Sequence, residues 1–443
     1  MAEFPKNFLW GAASASYQIE GGVKEGGRGE SVWDAFSHTP GKTRSGDTGD
    51  VAADSFHRWR EDVELVKGMG LGAYRFSIAW PRIAPSGDTN WNPAGFEMYD
   101  GLVDALLEAG IQPWVTLYHW DLPQALQNKG GWQNEDTARA FGAYVKQVAE
   151  HFKNRVMHWF TINEPQCFIG MGYGTGEHAP GLRLRPEDQL LCWKNMLLGH
   201  TLAAQVLRET DPSNVVGLAS CGLVCYPASN RPRDVEAARK RMFSRPEGFG
   251  GFSHHDLLDP LCLEDSPGKP DFIGLNIYHG NAVRAGESGP KDIPYPVGGL
   301  RTAFGWPVTP EALEWGSRFV WERYGLPLYI SENGLSCRDW VALDGKVHDP
   351  GRIDFLHRYL LALSRAVEAG VDVRGYFQWA LTDNFEWAEG YDQRFGLAYV
   401  DYATGARIPK DSAEWYKEVV KSNGQALYEH DFHRPGGIHE KRI

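Results

Sequence analysis

The chain has 443 residues, a net charge of −12 and an aromatic fraction of 13%. Lys and Arg form no runs, which argues against a nucleic-acid or anionic-membrane partner. No stretch approaches about 18 uninterrupted apolar residues, so no membrane span is expected.

The start, MAEFPKNFLWGAAS, lacks a basic region followed by an apolar core, and a cytoplasmic protein without a signal peptide is expected. Short apolar runs then alternate with amphipathic stretches. Candidate strands are Phe8–Ala12, Ala73–Ile78, Trp114–Tyr118, Val156–Ile162, Val215–Ser220, Phe272–Ile277, Leu328–Ser331 and Gly375–Trp379. Between the first two, Phe56, Trp59, Val63 and Val66 recur at helical steps, stopped by Gly68 and Gly70. Further helices are expected over Phe96–Glu108, Glu135–His151 with Asn134 as N-cap, Glu187–Glu209, Pro310–Tyr324 and Arg352–Glu368. Eight strand–helix repeats predict an α/β fold, a single (β/α)8 TIM barrel over residues 1–443. A doubly wound open sheet fits less well, because no G-x-G-x-x-G or P-loop follows the first strand. Segments 25–55, 221–270 and 281–310 are rich in Gly, Pro and charge and read as long loops over one barrel face. Residues 424–443 read as a polar tail.

In such barrels the reacting groups gather at the C-terminal ends of the strands. Unusual polar and aromatic residues fall there: Gln18, His119 with Trp120, Asn163 with Glu164, Asn276 with Tyr278, Glu332, Trp379, and Glu386 with Trp387. Two carboxylates at the exits of distant strands, Glu164 in TINEP and Glu332 in YISENG, are what glycoside hydrolysis needs as proton donor and nucleophile. The aromatics offer flat surfaces for the apolar face of a sugar ring, although aromatics more often fill cores. The six cysteines have no metal-site spacing and read as free thiols of a reducing compartment. His254-His255 lacks a third ligand at useful spacing, so no metal and no cofactor is expected. Asp121, Asp383 and Glu389 are read as supporting loop groups.

FPKNFLWGAASASYQIEGG, YRFSIAWPRI, TLYHWDLP, TINEP, GLNIY, SENG, DNFEW and RFGL occur in this order between about Phe4 and about Asn423. By these motifs the chain resembles glycoside hydrolase family 1, the β-glucosidase family. The resemblance implies a retaining enzyme of carbohydrate metabolism and cellulose degradation, acting on small β-glucosides and also on galactosides and fucosides. It implies Glu164 as acid/base and Glu332 as nucleophile, with Arg75 and Tyr278 supporting the latter. It implies Gln18, His119, Trp120, Asn163, Asn276, Tyr278, Trp379, Glu386 and Trp387 as the sugar-binding set, with Asn163 on the 2-hydroxyl and Trp379 as a stacking floor. Gln166 and Met171 depart from the family pattern at the expected aglycone entrance. Glu386, with no Lys or Arg between 387 and 393, argues against phosphorylated sugars. A transglycosylase or a sugar-binding pseudoenzyme on the same barrel are the rivals, and the oligomeric state is left open.

Overall fold

Parallel strands buried on both faces need near-continuous apolar runs, and this chain supplies eight of them. A computed structural model, describing residues 4–245 and 252–429, closes them into a barrel. The barrel strands are β1 (Leu9–Ala13), β2 (Ala73–Ser77), β3 (Gln112–Tyr118), β4 (His158–Asn163), β5 (Val215–Ser220), β6 (Phe272–Asn276), β7 (Leu328–Asn333) and β8 (Val373–Trp379). Each pairs in parallel with its sequence neighbours, and β1 closes the ring on β8 through Leu9↔Gly375 to Ala13↔Trp379. This is the (β/α)8 architecture the repeats predict.

The helices form the outer layer: Ser55–Gly68, Glu97–Glu108, Glu135–His151, Pro186–Thr210, Glu311–Tyr324 and Pro350–Glu368. Asn134 caps the third, its side chain accepting from the Asp136 N–H at 3.0 Å, so one of the helix's unpaired donors is satisfied. Inside the barrel Trp114, Phe160, Phe272 and Phe377 form a separate buried cluster with Ala13, Ala219 and Trp379. The Trp114 ring lies 5.4 Å from Phe377, 5.5 Å from Phe272 and 5.9 Å from Phe160. The barrel is therefore plugged by rings, and polar residues above the plug sit on a rigid, apolar floor.

Segments expected as loops carry structure of their own. Val32–Ser37 is a helix with a Ser31–Asp34 capping box. Pro232–Met242 and His254–Cys262 are helices, and Asn281–Gly286 pairs with Gly289–Ile293 as a hairpin. Residues 246–251 of the 221–270 loop lie outside the described residues, as do 430–443 of the expected tail. Residues 424–429 pack down, with Ala426 and Leu427 buried and the Leu427 carbonyl 2.8 Å from His357 Nε2. Among the described residues no helix is long and apolar enough to cross a membrane.

Candidate active site

Register decides which side chains meet above the plug. The pairing of β7 with β6 shifts between Ile330 and Glu332, which sets Glu332 beside Asn276, and that of β4 with β5 shifts before Asn163↔Ala219. Just past Glu332 the chain runs so close to β8 that a Cβ on Gly334 would lie 1.8 Å from the Trp379 carbonyl oxygen. Only glycine lets β7 leave the barrel there.

Arg75, on β2 and fully buried, organises the centre. Its guanidinium lies 4.5 Å over the Phe160 ring and donates to Glu332 Oε1 at 2.7 Å, the Ser331 carbonyl at 3.0 Å, Asn163 Oδ1 at 2.6 Å and Thr116 Oγ1 at 3.1 Å. Tyr278 donates its hydroxyl to the other oxygen of Glu332 at 2.8 Å. Asn276 donates to Glu164 Oε1 at 2.8 Å and to Asn163 Oδ1 at 3.2 Å, while Ser331 Oγ donates to Asn276 Oδ1 at 2.6 Å. Since Asn163 Oδ1 receives two donors, its amide nitrogen is the end 3.1 Å from His119 Nε2. His119 must then accept through Nε2 and carry its proton on Nδ1, a buried atom without a protein partner. Burial, and then the charge of Arg75, hold His119 well below the usual histidine range, so it is neutral.

The remaining expected residues adjoin this core. The Trp120 indole donates to the Asn163 carbonyl at 2.9 Å, and its ring stacks on Trp387 at 4.5 Å. His119 stacks on Trp379 at 5.9 Å and on Trp387 at 6.0 Å. Gln18 donates to Glu386 Oε2 at 3.2 Å, to Asn384 Oδ1 at 3.0 Å and to the Phe385 carbonyl at 2.9 Å, leaving its own Oε1 buried and unpartnered. Three of these residues hold left-handed backbone: Trp120 at φ 77, Glu164 at φ 44 and Trp387 at φ 52. For non-glycine residues that strain is of order 1–3 kcal/mol each, and it persists only where the surroundings impose it.

The carboxylates are set apart by their surroundings. Burial first, and the Glu332 charge second, raise Glu164 to about 8. Desolvation is the larger of the two effects. Burial raises Glu332 as well, but Arg75 and the Tyr278 hydroxyl draw it back down. With one proton to share, the pair keeps it on Glu164. Glu386 is also pushed up to about 8, by burial and then by Glu332. Glu386 is therefore a largely neutral acid rather than a standing anion that would repel a phosphate, and the case against a phosphorylated sugar rests on the absence of Lys and Arg at 387–393.

The supporting groups also find places. Asp121 accepts from Ser16 Oγ at 2.7 Å, below Gln18 in the chain, and burial raises it to about 7. Asp383 is locked between Lys410 Nζ at 2.7 Å and Arg394 at 2.7 Å, and Glu389 pairs with Arg44 at 2.6 Å. His254 bonds Ser220 Oγ at 2.9 Å rather than acting with His255. Gln166, expected at the aglycone entrance, is buried, with its amide 3.1 Å from Ser220 Oγ. Sequence reasoning missed Trp33, which packs on Trp387 at 4.6 Å, and Trp306, which packs on Tyr278 at 5.3 Å. Both sit in segments read as plain loops, and only their aromatic character hinted at a role.

The site gathers two buried carboxyl groups with unequal hydrogen-bond partners at the exits of β4 and β7. The family model for glycosyl hydrolase family 1 matches residues 1–254 and 263–425, and the chain belongs to that family. It is an enzyme of the glycosidase class. It is 43% identical to beta-glucosidase A of Thermotoga maritima over 95% of this chain and 98% of the relative. It is 40% identical to a bifunctional beta-D-glucosidase/beta-D-fucosidase of Bifidobacterium breve over 94% and 98% of the two chains. The solved beta-glucosidase from Thermotoga maritima in complex with glucoimidazole superposes with a TM-score of 0.87 at 41% identity, covering 96% of this chain and all of that one (100%).

Proposed function

We propose that the protein is a retaining β-glucosidase that releases terminal non-reducing β-D-glucosyl residues, and β-fucosyl residues, from small glycosides. The observation that carries this reading is the unequal pair: Glu164 protonated and bonded to Asn276, Glu332 charged between Arg75 and Tyr278. In the first step Glu332 attacks the anomeric carbon while Glu164 protonates the departing oxygen, giving a glycosyl-enzyme. In the second Glu164, now a base, takes a proton from water, which displaces Glu332. Asn163 holds the 2-hydroxyl, the His119 Nδ1–H and Gln18 Oε1 meet further hydroxyls, and Trp379 floors the ring. Glu386 and Trp387 take the 4- and 6-hydroxyls. The names of the relatives support glucosides and fucosides as substrates, and the neighbour's complex with glucoimidazole supports a small-molecule ligand.

The whole chain is read as one catalytic unit. Its six free cysteines favour the reducing cytoplasm. The test is a pair of variants. Glu332→Ala loses turnover and is rescued by azide to a glycosyl azide of inverted configuration. Glu164→Ala still forms the glycosyl-enzyme from substrates with good leaving groups, and azide rescues it with retention. The opposite stereochemistry in the two variants would reverse the roles.

A further inference from the structure

The spacing of the cysteines along the chain shows no metal site, yet the fold brings two of them together against Glu164. Cys167 lies three residues after Glu164 in the short helix Pro165–Ile169, and Cys221 follows β5, the neighbour of β4 in the barrel. Their sulfurs stand 3.4 Å apart without a bond. A ligating oxygen of Glu164 and both sulfurs lie within 4.8 Å of one another.

We propose that Glu164, Cys167 and Cys221 form an inhibitory site for a thiophilic divalent cation such as Zn2+ or Cd2+, which captures the acid/base carboxylate. Tetrahedral ligation with metal–sulfur bonds of about 2.3 Å and a metal–oxygen bond of about 2.0 Å places the sulfurs about 3.8 Å apart and each about 3.5 Å from the oxygen. The sulfurs need to part by a few tenths of an ångström, and a fourth position is left for water. Two thiolates select soft ions over Mg2+ and Ca2+, which want several oxygens. Burial raises the Cys221 thiol to about 11, and the Cys221 contact and burial raise Cys167 well above its ordinary value, so both sulfurs arrive protonated. Binding therefore expels the two thiol protons and the Glu164 proton to buffer. With its oxygen on the ion, Glu164 can no longer pass a proton to the leaving group. Cys167 is half-buried, which gives the ion a path to the cluster. The site rests on geometry alone; only its effect on turnover rests on the proposed glycosidase reading.

The experiment adds Cd2+ to the full chain without substrate and follows thiolate-to-cadmium absorption in the ultraviolet. Wild type and Cys337→Ser, whose thiol is also half-buried but outside the cluster, show the band at one ion per chain. Cys167→Ser and Cys221→Ser lose at least half of it, and Glu164→Gln binds at least about tenfold more weakly, the least expected for losing a ligand. Glu164→Gln leaves both sulfurs in place and keeps the test open should a cysteine variant fold poorly. In parallel, aryl β-glucoside turnover by wild type falls at least tenfold at saturating Cd2+ and returns with a chelator, while Cys221→Ser keeps most of its own metal-free rate. An undiminished band in either cysteine variant overturns the site. Stoichiometric binding with unchanged turnover overturns the capture of Glu164. Absence of turnover in every sample without metal would count against the glycosidase reading and leave the absorption result standing.

Discussion

Tyr278→Phe removes a single hydroxyl and leaves a ring of the same shape between Trp306 at 5.3 Å and Phe395 at 6.1 Å. The lost contact is the 2.8 Å bond to Glu332 Oε2, one that favours the charged carboxylate. Hydrogen bonds to charged groups contribute about 1.5–3 kcal/mol. At about 1.4 kcal/mol per unit, the Glu332 carboxylate then becomes about one to two pH units easier to protonate. The sign follows directly: the native bond lowers the acidic limb of the kcat/KM profile, so its loss moves that limb upward. On the proposed mechanism Glu164, which burial raises to about 8, sets the alkaline limb, and it keeps its bond to Asn276. The window between the limbs should therefore narrow from the acid side. The assay is kcat/KM for an aryl β-glucoside from pH about 4 to about 9, each limb read as a property of the coupled pair. An acidic limb that stays within about 0.3 unit of wild type would show that Tyr278 does not govern the nucleophile. An alkaline limb that moved instead would mean that Glu332 and Glu164 have exchanged roles.

Glu386→Ala should lower kcat/KM on glucosides by about 5- to 150-fold, for two lost neutral hydrogen bonds of about 0.5–1.5 kcal/mol each, and on fucosides by less, because they lack the 6-hydroxyl; equal losses would show that the 6-hydroxyl is held elsewhere. Lys410→Met should destabilise the fold by about 3–5 kcal/mol in denaturant unfolding. Lys410 Nζ bridges two buried carboxylates, Asp339 at 2.6 Å and Asp383 at 2.7 Å, and a loss below about 1 kcal/mol would mean that Arg352 and Arg394 neutralise them unaided.

The barrel was legible because parallel strands buried on both sides leave apolar runs that no surface element imitates. Boundaries drifted where a turn intervened: Val156, expected to open β4, instead bonds back to the Phe152 carbonyl at 3.0 Å. The helix Pro232–Met242 hid behind its sequence, PRDVEAARKRM, whose charges read as solvated loop although Ala237, Ala238 and Met242 are buried. Pro260 masked the helix His254–Cys262 in the same way. The residues expected to face the sugar could be named because each closes a strand or lies in the segment just after one. Their mutual bonds could not, since Arg75 reaches Glu332 across 257 residues of sequence. The two thiols beside Glu164 were closer to sight than they seemed. Cys167 follows the exit of β4 and Cys221 the exit of β5, so adjacency in the ring already placed them side by side.

Catalytic competence and durability pull this molecule in opposite directions. The left-handed turn at Glu164 and the buried acids at 164, 332 and 386 cost the fold stability. A raised carboxyl pKa contributes stability below the unfolded value and loses it as pH climbs toward about 8, so the site strains the protein most where the acid/base begins to lose its proton. Selection for longevity alone would erode these positions first, replacing Glu164 by glycine or the acids by amides. On the proposed mechanism dead copies would outlast working ones, and what keeps the acids in place is the sugar they turn over.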